Sequence, residues 1–120
     1  MKLPKSFDEL IEDATLLNLY KKLVAQLNKD LLYANVHLEF DPEILPLSLK
    51  LTLQDEVFNL IQHKFSDYLN LLYVVDVSEA KVKSLDGNDS GQLSESITFL
   101  ILQREWQKVW FKHHFSKKRT

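Results

Sequence analysis

Apolar residues recur with a helical period of 3.6 in three long stretches of this chain, and few strong helix breakers interrupt them. The breakers are Pro4, Pro42, Pro46, Gly87 and Gly91. A β-sandwich requires turn signals far more often than this. The pattern therefore predicts an all-α fold, a small helical bundle with long helices near residues 7–34, 49–74 and 92–114 and shorter elements between them.

The first predicted helix has a clear start. Ser6 and Glu9 are spaced as a capping box, in which the serine hydroxyl accepts the Glu9 amide and the glutamate side chain returns to the Ser6 amide. Asparagine tolerates the left-handed conformation of a C-terminal cap, so Asn35 is the expected end, with a break at residues 28–30 as the alternative. The apolar stripe comprises Leu10, Ala14, Leu17, Val24, Leu27 and Leu31.

The middle of the chain is ambiguous between helix and strand. Residues 36–40 and 47–53 alternate apolar and polar positions, and residues 70–77 include a β-prone run. A small sheet built from these three segments would make the fold α+β, which is the alternative architecture. We favour a helix near 49–74 because its apolar positions also form one helical face. Ser78 predicts the cap of a further short helix.

The third helix carries aromatic and cationic residues together. Phe99, Trp106 and Trp110 share its apolar side, Phe111 follows Trp110, and the cations Arg104, Lys108 and Lys112 flank them. In so small a domain, part of this aromatic face could serve another chain rather than the core. These seven residues are the predicted interaction site.

Composition agrees with one ordinary globular unit. The chain has 120 residues, 45% hydrophobic and 27% charged, which suits a single helical domain spanning 1–120 with a short basic tail at 116–120. There is no cysteine, so disulfides and thiolate chemistry are excluded. The N-terminus turns acidic before a signal-peptide core could form, and no apolar run is long enough to cross a bilayer. We expect a cytoplasmic protein with no membrane association.

Charge is divided unevenly along the chain. Residues 1–99 contain 9 Lys/Arg and 16 Asp/Glu, whereas residues 100–120 contain 6 and 1. Interleaved with aromatic residues, the C-terminal cations suggest the alternative function, a nucleic-acid-binding accessory protein that uses the basic helix and the tail residues Lys117, Lys118 and Arg119. The acidic remainder of the chain, with a pI near 6.1, argues against a general affinity for phosphate backbones.

The polar turn at 86–91 is a weak calcium candidate. Asp86, Asn88 and Ser90 occupy the first, third and fifth positions of an EF-hand loop, but Ile97 stands where the loop requires a bidentate glutamate. We interpret these residues as turn formers and predict no metal site. The four histidines are not spaced as a pair of ligands on one helical face.

No catalytic motif is present. The chain has no nucleophile elbow, and its two glycines cannot build a phosphate-binding or dinucleotide-binding loop. We therefore predict no cofactor and a non-enzymatic module for protein–protein interaction or assembly, with a protein partner or a homo-oligomer. Nucleic acid remains the alternative partner.

Overall fold

The chain folds into helices, and the computed structural model describes residues 1–118. Side chains are described through Ser116, so the predicted tail residues Lys117 and Lys118 are described in backbone only, and Arg119 lies outside the described residues. No strand occurs among the described residues, so the fold is all-α, and the α+β alternative is wrong. Residues 1–118 contain six helices, α1 (Phe7–Leu16), α2 (Tyr20–Tyr33), α3 (Pro46–His63), α4 (Phe65–Val75), α5 (Glu79–Lys83) and α6 (Ser90–Lys118).

The predicted first helix is two helices. Ser6 Oγ accepts the Glu9 amide at 3.1 Å and begins α1 as expected. The prediction of an unbroken helix over 7–34 is wrong, because Asn18 adopts φ 56° and separates α1 from α2. A positive φ breaks the helical hydrogen-bond ladder and turns the chain. Both segments keep a buried apolar face, with Leu10 and Ala14 on α1 and Val24, Leu27 and Leu31 on α2. The prediction is wrong for Leu17, which lies at the break and is 42% exposed.

The segment after α2 is extended without being a strand. Asn35 ends the helical region with φ 59°, as predicted. Beyond it, the Asn28 side chain binds both backbone groups of Phe40, with its amide donating to the carbonyl at 2.9 Å and its oxygen accepting the amide at 2.8 Å. A side chain on α2 therefore satisfies groups that a neighbouring strand would otherwise bond.

The second predicted helix also divides. It begins earlier than predicted, with Pro46 at its first position, where proline costs no hydrogen bond. Lys64, at φ −142° and ψ 59°, ends α3 and precedes α4. The helix then continues to Val75, and Asp76 caps it with φ 70°. The ambiguous segments 47–53 and 70–77 are thus largely helical.

Helix α6 is the longest element and organises the core. At about 1.5 Å per residue its 29 residues span about 43 Å, close to the 46 Å longest dimension of the molecule. It packs chiefly against α3 and α2, with smaller contacts to α1 and α4. Its contribution to the buried core is Ile97, Ile101, Leu102, Trp106 and Val109.

Within residues 1–118, every helix is either too short or too polar to cross a membrane.

Candidate functional site

The predicted interaction residues are spread along α6. Phe99 lines a cleft of about 440 Å³ near the start of the helix, between the beginnings of α1 and α3 and the short α5. Trp110 lies 11 residues further along, about 16 Å away along the helix axis. A contact surface that includes both residues must therefore cover about three turns of the helix.

Trp106 belongs to the core of its own chain. Its side chain is 1% exposed. Within a single chain it therefore presents almost no area to a partner. The four-residue spacing of Trp106 and Trp110 is the spacing of a stripe facing inward, and Trp110 is half-buried against the same core.

An aromatic column continues α6 beyond the core. Trp110 meets Phe111 edge-on at 5.2 Å between ring centroids and stacks on His114 at 4.7 Å. Phe111 in turn stacks with Phe115 at 5.9 Å. Phe111 is 36% exposed and Phe115 55%, so this column faces water increasingly toward the helix end.

Each predicted cation on α6 makes a different contact. The Arg104 guanidinium donates to the Asp76 carboxylate at 3.0 Å and to its backbone oxygen at 3.2 Å. The Lys108 amine donates to Asp30 at 2.7 Å, and the Lys112 amine lies 3.5 Å from the Gln26 side-chain oxygen. Arg104 therefore ties α6 to the end of α4, whereas the two lysines face α2.

Beside Lys108 lies a carboxyl group that is completely buried. Glu105 is 0% exposed, and its Oε1 lies 3.2 Å from the Lys108 amine. Neither of its oxygens accepts a well-aligned hydrogen bond from the described residues. Burial, together with a hydrogen bond to Asp30, raises the pKa of Glu105 to about 9. The side chain is therefore protonated at neutral pH and donates to Asp30.

Asp30 is the charged member of this pair. Burial opposes its ionisation, but hydrogen bonds from Glu105 and Lys108 outweigh that effect and lower its pKa. One proton is thus shared between two carboxyl groups, and a lysine neutralises the remaining charge. With Glu105 closed to solvent, this cluster links α2 to α6 and offers no route for a substrate.

The sequence analysis missed an exposed apolar stripe on α4. Phe65, Leu69 and Tyr73 follow one another at four-residue spacing and are 54%, 51% and 84% exposed. The signal was present in the sequence, since these three positions form a second line of apolar residues beside the buried line of Tyr68, Leu71, Leu72 and Val75.

The turn at 86–91 begins α6. Gly87 adopts φ 94°, and the Asp89 carboxylate accepts the Gln92 amide at 2.8 Å, as an N-terminal cap does. Of the calcium candidates, Ser90 is already the first residue of α6, and Asp86 and Asn88 lie in the turn before it. Within residues 1–118, no group of three or more His, Asp or Glu side chains is arranged to hold a metal ion.

Comparisons of this chain with protein-family models, with curated proteins and with solved structures found no match.

Proposed function

We propose that this protein is a non-enzymatic assembly module that associates with a second copy of itself through the stripe of Phe65, Leu69 and Tyr73 on α4. The observation that carries the proposal is the composition of this helix. Eight of its 11 residues are apolar, yet only one side of it is covered by the rest of the chain. Its polar residues Ser66, Asp67 and Asn70 occupy one arc, and an apolar arc wider than one buried stripe normally needs cover on more than one side.

The stripe is complementary to itself. Its three residues are evenly spaced, with Leu69 in the middle and an aromatic ring about 6 Å away on each side. If two copies cross antiparallel about a twofold axis at Leu69, each leucine meets its counterpart and each Phe65 meets a Tyr73. A twofold interface requires this kind of pattern, in which one patch serves both partners.

Apolar burial supplies most of the affinity in this arrangement. The charges at the ends of α4 contribute little to the orientation, because Asp76 is paired with Arg104 and Asp67 lies in the same first turn that follows Lys64. The antiparallel orientation therefore rests on the spacing of the stripe itself.

The first test is the mass of the protein in solution across a dilution series, measured by sedimentation or light scattering. We expect a dimer that dissociates to the 14.1 kDa chain on dilution. The variant Leu69→Gln should raise the dissociation constant at least tenfold, because the axis places both copies of the residue in the contact. The control Leu16→Gln changes a leucine on α1 that is more exposed than Leu69, at 76% against 51%, and should leave association unchanged.

A charge-pair experiment distinguishes self-association from binding to another protein. Leu69→Lys and Leu69→Glu should each be monomeric alone, since the twofold axis places like charges against each other. Mixed together they should form a heterodimer. A wild-type chain that stays monomeric at high concentration, or a mixture that fails to associate, contradicts the proposal.

A further inference from the structure

A groove runs between α2 and the C-terminal half of α6. Two adjoining concavities of about 430 and 520 Å³ make up this α2–α6 groove, and both are lined by Gln26, Lys112 and Ser116. Lys22 and Lys29 line its α2 side, and Lys108 and Phe111 line its α6 side. Since none of the described lining residues is Asp or Glu, the groove is cationic on a protein whose net charge is −2.

Three of the cations are not neutralised. Within residues 1–118, Lys22, Lys29 and Lys112 form no ion pair, and the Lys112 amine has only the neutral Gln26 oxygen near it. Lys108 is different, because Asp30 compensates its charge. Like charges held around one groove repel each other, so the arrangement favours an anionic ligand that would relieve the repulsion.

Aromatic faces accompany these charges. Phe111 and Phe115 both line the second concavity, beside Lys108 and Lys112. Their rings are nearly parallel, at 17° to each other. Cations beside partly exposed rings are the two elements that bind a single nucleic-acid strand, because the cations hold phosphates and the rings stack on bases.

We infer that the α2–α6 groove binds single-stranded nucleic acid. Lys22 and Lys29 lie on one face of α2, about 10 Å apart along the helix, and Lys112 faces them from α6. The three amines hold successive phosphates, and a base stacks against Phe111. A concave groove suits a flexible strand better than a membrane surface, and an acidic peptide has no bases to use the rings.

The inference is independent of self-association, because it uses α2 and α6 rather than the stripe on α4. It also differs from the alternative function in the sequence analysis, in which the basic C-terminal helix and its tail bind nucleic acid. The decisive residues Lys22 and Lys29 belong to α2, nearly 90 positions earlier in the sequence.

The test uses a fluorescently labelled single-stranded oligonucleotide and the full chain, with binding followed by anisotropy from low to physiological salt. The triple variant Lys22→Ala, Lys29→Ala, Lys112→Ala should weaken binding at least tenfold. It should also reduce the slope of log affinity against log salt by about 2, since each phosphate contact on a single strand contributes about 0.7.

A matched triple variant controls for net charge. Lys2→Ala, Lys21→Ala and Lys83→Ala remove the same three charges from exposed sites outside the groove, and Lys21 is the immediate neighbour of Lys22. This control should bind the oligonucleotide nearly as tightly as the wild type. Phe111→Leu should weaken binding several-fold while leaving the salt slope unchanged, because it removes stacking and no charge.

Three results would overturn the inference. The first is an equal loss of binding in both triple variants, which would mean that only the overall charge matters. The second is equally tight binding of a polyglutamate peptide, which would show that bases contribute nothing. The third is binding to vesicles with anionic lipid but not to the oligonucleotide.

Discussion

Glu105 is the least expected residue of the buried core, because its carboxyl group, with two polar oxygens, has no contact with water. A buried ionised carboxylate is costly unless it is paired and fully hydrogen-bonded. Protonation avoids most of that cost and turns the side chain into a donor for Asp30. The pair therefore contributes to the contact between α2 and α6 only while Glu105 keeps its proton.

The raised pKa makes stability fall as the pH rises. In the unfolded chain the pKa of Glu105 lies near its ordinary value of 4.5, whereas in the folded chain the pKa is about 9. Between these two pH values the folded state binds more protons than the unfolded state. Each rise of one pH unit therefore lowers the free energy of unfolding by up to about 1.4 kcal/mol. We expect Glu105→Gln, which cannot ionise, to gain stability relative to the wild type progressively from pH 5 to 9, as measured by urea unfolding.

Two features keep this experiment specific. Asp30 acts in the opposite sense, because its lowered pKa contributes stability that is lost only as the pH falls below about 4, outside the window. Glu95→Gln, an exposed change on the same helix, should follow the wild-type curve. Parallel curves for Glu105→Gln and the wild type would show that Glu105 is ionised in the fold.

Sequence alone could not identify this residue. Glu105 lies beside Trp106 and is followed by basic residues, and an acid in such a run indicates nothing about burial. Its partner Asp30 is 75 positions away in the chain. The burial of Trp106 was predictable, because its spacing from Trp110 marks an inward stripe, but the same spacing also allowed an interface.

At the scale of elements, the helical class was predictable and the breaks were not. Periodicity located every long helical region, and Ser6 and Asn35 correctly indicated where the first of these regions starts and ends. Neither Asn18 nor Lys64 carries a comparable signal, because the apolar spacing continues past both. The alternation of apolar and polar residues at 36–40 suggested a strand for another reason. The backbone groups of Phe40 are hydrogen-bonded by the side chain of Asn28, which lies 12 residues earlier in the chain.

The break at Asn18 can be tested by comparing small residues. A left-handed conformation costs alanine about 1 kcal/mol or more, and glycine accepts it without penalty. We therefore expect Asn18→Gly to be more stable than Asn18→Ala in urea unfolding.

The matched control is Thr15, an exposed residue inside α1. There alanine should be more stable than glycine by about 1 kcal/mol, because a helix interior favours alanine. The order of stability of the alanine and glycine variants at Thr15 should therefore be the reverse of their order at Asn18. The same order at both sites would contradict the break.

On the scale of the whole molecule, the apolar stripe and the cationic groove lie on different helices. Helix α4 carries the exposed apolar stripe, and the groove between α2 and α6 carries uncompensated lysines. The sequence analysis had placed both properties on the C-terminal helix, because aromatic and basic residues are adjacent there in sequence. Folding separates them in part, since α6 turns Trp106 inward while Phe111 and Phe115 stay exposed beside its lysines.

This separation predicts how the two tryptophans respond to dissociation. Trp106 is buried by its own chain and Trp110 packs on the same core, so neither depends on the stripe of α4 for its surroundings. Diluting the dimer should therefore halve the mass without shifting the wavelength of tryptophan emission. Unfolding in urea should shift the emission to longer wavelength and serves as the positive control. If emission shifts on dilution together with the mass, the C-terminal helix contributes to the interface, and the contact lies on α6 rather than α4.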